Sequence, residues 1–158
     1  MLVTIVQIAL YILQPFLLIK NGFKLCGIDI KIKNLLYNAV LFGLVIYCIR
    51  SSPLSKFYYF PLMFLTNLIL ISVIHRLNII LAIVPNFFGY LLVFATEMIS
   101  MVLLNAIGIT IDINNASNIK GPLVWVSILL LCLITVVLDR NAIILFPLNK
   151  VILEKSNE

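Results

Sequence analysis

The sequence predicts an all-α, polytopic membrane helix bundle of about five transmembrane helices, with the N-terminus outside and the C-terminus inside. Three observations predict it. First, apolar residues make up 63% of the 158 residues and charged residues only 11%, against about 45–50% and about 25% in soluble domains. A soluble fold of one domain's size has too little interior to hide that much apolar surface. Second, five stretches approach the roughly 20 apolar residues that a membrane crossing needs. They are Leu2–Ile19, Leu35–Ile49, Phe57–Ile74, Phe87–Ile109 and Leu123–Leu138. Third, the 11 basic residues are distributed unevenly between the two sides. An outside N-terminus puts Lys20, Lys24, Lys31, Lys33, Arg76, Arg140, Lys150 and Lys155 in the cytoplasm and leaves Arg50, Lys56 and Lys120 outside. Basic residues favour the cytoplasmic side. The composition excludes a water-soluble enzyme, a disordered segment and a secreted disulfide scaffold. The net charge of +5 is accounted for by topology, so no nucleic-acid partner is expected. The expected location is the cell membrane, as a multi-pass protein.

Span one contains Gln7, Gln14 and Pro15. It lacks a basic n-region and a small-residue cleavage site, so it reads as an anchor and not as a cleaved signal peptide. The connection Asn21–Asn34 reads as an interfacial segment whose lysines meet anionic headgroups. Span two is short, and reaches full length only if Ile30 and Ile32 partly enter the interface. Arg50–Lys56 is a tight outer turn. Phe57, Tyr58, Tyr59 and Phe60 form an aromatic belt at the outer surface, and His75-Arg76 marks the inner surface. Leu77–Ile109 is too long for one straight crossing. Leu77–Val84 is either an interfacial piece that bends at Pro85 or the start of one kinked, tilted helix. Thr110–Lys120 reads as a polar outer loop, and Trp125 lies near the outer end of span five. The division expected is a helical bundle over residues 1–140 and a cytoplasmic juxtamembrane tail over 141–158. No internal repeat and no GxxxG pair is present, so neither an inverted-repeat transporter nor a close dimerisation face is indicated.

Glu97 is the residue that most invites a function. It lies near the centre of span four, where an ionised carboxylate is most costly. Asn86, Tyr90, Val93, Glu97, Ser100 and Leu104 share one narrow stripe of a helical wheel. Asn86, Tyr90, Glu97 and Ser100 therefore form the candidate ligand-binding or intramembrane polar site, facing the bundle interior. The competing reading makes Glu97 a hydrogen-bonded structural carboxyl. No Lys or Arg lies in the central part of any span, so a neutral acid with no ion partner is expected. Asn67 and Asn105 read as interhelical hydrogen-bonding residues. His75 reads as a solvated interfacial histidine, and no Cys, Asp or Glu stands at metal-ligand spacing from it. Cys26, Cys48 and Cys132 are isolated and read as structural. No nucleophile elbow, HExxH or P-loop occurs. No catalytic residue, metal or cofactor is expected.

The run Gly27–Gly108 resembles the multi-span N-terminal sensor module of Firmicutes histidine kinases of the GHKL class. The resemblance lies in GIDIKIKNLLY followed by IYCIRSSPLSKF, in the closing VIHRLNIILAIV, and in LLVFATEMISMVLLNAIGI with its lone Glu97. It covers about half the chain and implies a peptide-sensing membrane module. Such kinases continue into a cytoplasmic phosphoacceptor helix and an ATPase domain. This sequence ends at Glu158 without them, so kinase activity is not expected. The expected function is a non-enzymatic sensor or regulatory module. It would relay a signal by helix rearrangement to a protein partner, or within a homo-oligomer, in the lipid bilayer. The alternative is a small transport-related protein, such as a permease subunit or an immunity protein.

Overall fold

The computed structural model describes residues 2–53, 55–109 and 122–148. These form five α-helices: α1 Leu2–Leu25, α2 Ile32–Ser51, α3 Tyr59–His75, α4 Ile79–Ala106 and α5 Pro122–Asn141. A 3-10 turn, Lys56–Tyr58, precedes α3. No strand occurs among the described residues. Three helices, α2, α4 and α5, are each long and apolar enough to cross a membrane. This is fewer than the five crossings expected. The aromatic belt explains α3: Phe57 and Tyr58 are taken into the 3-10 turn, which leaves 17 residues in the helix. The expected outer loop Thr110–Lys120 and the end of the tail from residue 149 lie outside the described residues.

The helices differ from the sequence expectation where buried polar and small residues extend them. Asn21 and Gly22 carry loop chemistry, yet α1 runs on to Leu25. The reason is packing. Leu17, Leu18, Ile19, Asn21, Gly22 and Phe23 are all buried, so this half of α1 is enclosed on every side, which is the signature of a core helix. It is held by α2, α4 and α5. α4 resolves the two readings of Leu77–Ile109 in favour of one helix. It is a continuous 28 residues with Pro85 inside it, or about 42 Å at 1.5 Å per residue. Asn78 caps its start by accepting from the Ile80 N–H at 3.2 Å.

Glycines set the closest helix approaches, without any GxxxG spacing. A Cβ on Gly22 would overlap the Pro85 carbonyl of α4. One on Gly89 would lie 2.6 Å from the Leu18 carbonyl, and one on Gly43 would lie 2.5 Å from that of Tyr11. Backbone-to-backbone contact at small residues is how helices gain van der Waals energy where lipid offers no hydrophobic drive. The outward faces are apolar. Leu129 and Leu133, one turn apart on α5, are 63% and 62% exposed, and that surface suits hydrocarbon.

One end of the bundle is basic. It gathers Lys20 and Lys24 of α1, Lys31 and Lys33 at the start of α2, Arg76 after α3 and Arg140 of α5. Lys20 Nζ bonds Asp139 at 2.7 Å, joining α1 to α5. The segment after α5 is not a free tail at its start. The N–H groups of Leu145 and Phe146 bond the Leu25 carbonyl at 2.8 and 3.1 Å, and that of Leu148 bonds the Cys26 carbonyl at 3.1 Å. These are carbonyls that a helix C-terminus otherwise leaves unsatisfied.

The Gly22–Pro85 contact generates a test. Gly22→Ala is expected to cost about 2 kcal/mol or more, the scale of overpacking in a close-packed interior. Leu129→Ala, on the lipid-facing side, is expected to change stability by less than about 1 kcal/mol. Reversible unfolding in mixed micelles measures both. Equal effects would contradict the close α1–α4 approach.

Candidate functional site

Glu97 lies 18 residues from the start of α4 and nine from its end. At 1.5 Å per residue this is about 27 Å and about 14 Å respectively. It is near the centre of the span Phe87–Ile109 read from the sequence and past the midpoint of the longer helix, which starts at Ile79. The nearer end of α4 is the one where α2 finishes, with Arg50 in its last turn.

The site is a cavity of about 210 Å³ between α1, α2, α3 and α4. Gln14, Arg50, Tyr90 and Glu97 supply its polar groups. Pro15, Leu18, Phe42 and Val93 are among its apolar walls. The Gln14 amide and the charge of Arg50 both act on the Glu97 carboxyl. The expectation that Glu97 has no cationic neighbour is therefore corrected. Arg50 was read only as a topological charge in an outer turn, but α2 extends through it to Ser51. Its guanidinium carbon lies 5.7 Å from the Tyr11 ring centroid, within cation–π range. Tyr90 is wedged against Phe60 and Phe64, with ring centroids 5.5 and 5.4 Å away. Its hydroxyl is shielded and has no partner among the described residues.

The polar stripe on α4 divides into three. Only Tyr90 and Glu97 line the cavity. Asn86 is fully buried against α3: it accepts from Asn67 Nδ2 at 2.7 Å and donates to the Phe64 carbonyl at 3.1 Å. Ser100 turns toward α5, donating to the Thr96 carbonyl at 2.6 Å and accepting from Ser127 at 3.1 Å. The helical wheel placed all four on one interior stripe, but the stripe meets different neighbours along its length. Asn67 is an interhelical hydrogen-bonding residue, as expected. Asn105 is not: it is exposed near the end of α4.

Sequence reasoning missed Gln14 and Arg50 as site residues. Gln14 carried a signal, being an amide within an apolar span. It also missed Asn21, Asn38 and Thr135, all buried. Thr135 Oγ1 donates to Asn21 Oδ1 at 2.9 Å, tying α5 to α1. His75 is half-buried, with its Nε2 shielded. Its ring packs on Phe23, with centroids 4.9 Å apart, because α1 extends far enough to reach it. Cys26 is fully buried, Cys132 partly buried and Cys48 exposed. Among the described residues no cluster of three metal-ligating side chains occurs.

Compared with known proteins, the chain matches no family model, no curated protein and no solved structure.

The shared cavity implies energetic coupling between Arg50 and Glu97. A double-mutant cycle of Arg50→Gln and Glu97→Gln, read by thermal unfolding in detergent, is expected to give an interaction energy of about 0.5–3 kcal/mol. Strict additivity of the two substitutions would contradict the coupling.

Proposed function

We propose that this chain is a five-span, N-out/C-in protein of the cell membrane, and that it works as a sensor-like or regulatory module without enzymatic activity. The observation that carries the reading is the cavity holding Gln14, Arg50, Tyr90 and Glu97 inside the bundle. Polar and charged groups at membrane depth are expensive, and they mark sites where a ligand, ion or proton is handled. Five crossings remain reasonable because α3 and α1, at 17 and 24 residues, fall within the usual range of about 17–25 for spanning helices. The basic end gives the orientation, since it belongs in the cytoplasm. The resemblance to peptide-sensing kinase modules agrees with this reading and adds the expectation of a protein partner.

Relay follows from α1. Gln14 lines the cavity, and Leu25 and Cys26 hold the segment after α5 through their carbonyls. Gln14 and Leu25 are 11 residues apart on one helix, about 16 Å. A ligand that draws Gln14 and Glu97 together or apart moves α1 as a rigid rod. The docking of residues 142–148 on the end of that rod then changes. The output is the release or retention of this segment for a partner.

Cys26 reports that docking. Burial pushes its thiol up to about 11, so at pH 8 only about one molecule in a thousand is the reactive thiolate. In a protein whose Cys48 and Cys132 are replaced by Ala, Cys26 is expected to react slowly with a membrane-impermeant maleimide. It should do so only from the cytoplasmic side of sealed vesicles, and faster as pH rises toward 11. Glu97→Gln, which changes the cavity but not the inner end, is expected to raise the rate at pH 8 about fivefold or more, the lower scale of intersite coupling. Labelling from the outer side would overturn the topology. An unchanged rate in Glu97→Gln would overturn the relay.

A further inference from the structure

A second cavity opens at the basic end of the bundle. Its volume is about 480 Å³, within the range of about 300–1,000 Å³ typical of small-molecule sites. It is separate from the Glu97 cavity and shares no lining residue with it. Its walls come from the turn between α1 and α2, including Lys31, and from the turn after α3, including His75 and Arg76. Asn34, in the first turn of α2, also lines it.

The charge there is net positive. Asp29 is the one acidic residue lining the cavity, against Lys31 and Arg76. Its side chain is 98% exposed and stands 3.9 Å from Lys24 Nζ. Among the described residues Lys31 and Arg76 form no ion pair. Lys31 occupies the N-cap position of α2 and makes no side-chain capping bond, so the positive end of that helix adds to the field. His75 Nε2 is shielded and has no hydrogen-bond partner among the described residues.

The backbone holds Arg76 in place at a conformational cost. Arg76 has φ 54°, ψ 35°, the left-handed region, which disfavours a residue with a Cβ. The turn is pinned on both sides. Ser72 O accepts from the N–H groups of Arg76 and Leu77, and Ser72 Oγ donates to the Leu77 carbonyl at 2.7 Å. Glycine would suit this position better on backbone grounds alone.

We propose that this cavity binds a phosphate group, with Lys31 and Arg76 as its charge partners. Arg and Lys together give the charge-assisted bonds that phosphate oxygens need, and the first turn of a helix adds backbone polarity of the same sign. Two sources supply that chemistry: the headgroup of an anionic phospholipid and free phosphate. The place of the cavity at the end of the bundle, where bilayer and water meet, lets either reach it. The proposal does not depend on the sensor reading.

The test uses the full chain in an uncharged maltoside detergent, with thermal unfolding as the readout. Short-chain phosphatidylglycerol, inorganic phosphate and chloride at matched ionic strength are titrated separately. A ligand that binds only the folded state raises the melting temperature as its concentration passes its dissociation constant. Phosphatidylglycerol or inorganic phosphate is expected to raise it where chloride does not. A rise with the lipid alone identifies a headgroup site, and a rise with inorganic phosphate identifies a free-phosphate site. Arg76→Gly and Lys31→Gln are each expected to weaken the effect about tenfold or more. Neither variant is expected to unfold the protein: glycine relieves the left-handed turn, and Lys31 makes no cap bond to lose. The melting temperature of unliganded Arg76→Gly, at or above that of the parent, is the internal control. No rise with either phosphate compound, or a rise equal in both variants, would overturn the proposal.

Discussion

The arrangement depends on one close approach, that of the α1 backbone at Gly22 to the α4 carbonyl of Pro85. In hydrocarbon, helices cannot be driven together by excluding water, so tight packing and internal hydrogen bonds must do it. Glycine removes the Cβ that would keep the two backbones apart. With α4 seated against α1, Gly89 meets Leu18 one turn further on. α2 closes on the other side through Gly43 and Tyr11. The polar side chains then fall where partners exist: Asn67 with Asn86, Ser100 with Ser127, Asn21 with Thr135. Each of these bonds joins a different pair of helices, so together they fix the bundle's register. Lipid can satisfy none of these groups.

The same packing gives the two ends different characters. Toward one end, the carboxyl of Glu97, the guanidinium of Arg50, an amide and a phenol line one small, half-open cavity. At the other end the lysines collect, and Asp139 bonds Lys20 at 2.7 Å with Lys24 3.7 Å away. α1 is the element common to both ends. It contributes Gln14 to the cavity, and its last carbonyls receive the N–H groups of the segment after α5.

The class of fold was legible in the sequence because it follows from composition and the length of apolar runs. All five helices were found. Their ends were not, and for one recurring reason. Asn21 and Gly22 are turn residues by local preference, but the surrounding helices reward a helical Asn21 with Thr135 and a bare Gly22 with Pro85. Leu77–Val84 was ambiguous because Pro85 interrupts a helix in isolation and is tolerated when the bundle surrounds it. The candidate site was half legible. Glu97 and Tyr90 were identified by depth and helical spacing, and they do share a cavity. Asn86 and Ser100 lie on the same stripe, but a wheel carries no information about which neighbour each turn of helix will meet. Arg50 was hidden because its role depends on how far α2 runs and on where α4 starts. The half-burial of His75 was hidden for a related reason, since nothing local shows that α1 extends far enough to cover it with Phe23.

The second half of α1 is buried among its neighbours and holds α5 through Asn21 and Thr135, whose side-chain oxygens stand 2.9 Å apart. The most direct measurement replaces Asn21 and Thr135 by Cys in a chain whose native cysteines are Ala, and applies copper-catalysed oxidation in native membranes. Rapid, near-complete formation of an intramolecular disulfide between the two positions is the expected result. A chain that fails to cross-link there, while forming the bond when Cys is placed on the lipid-facing Leu13 instead of Asn21, would contradict the account.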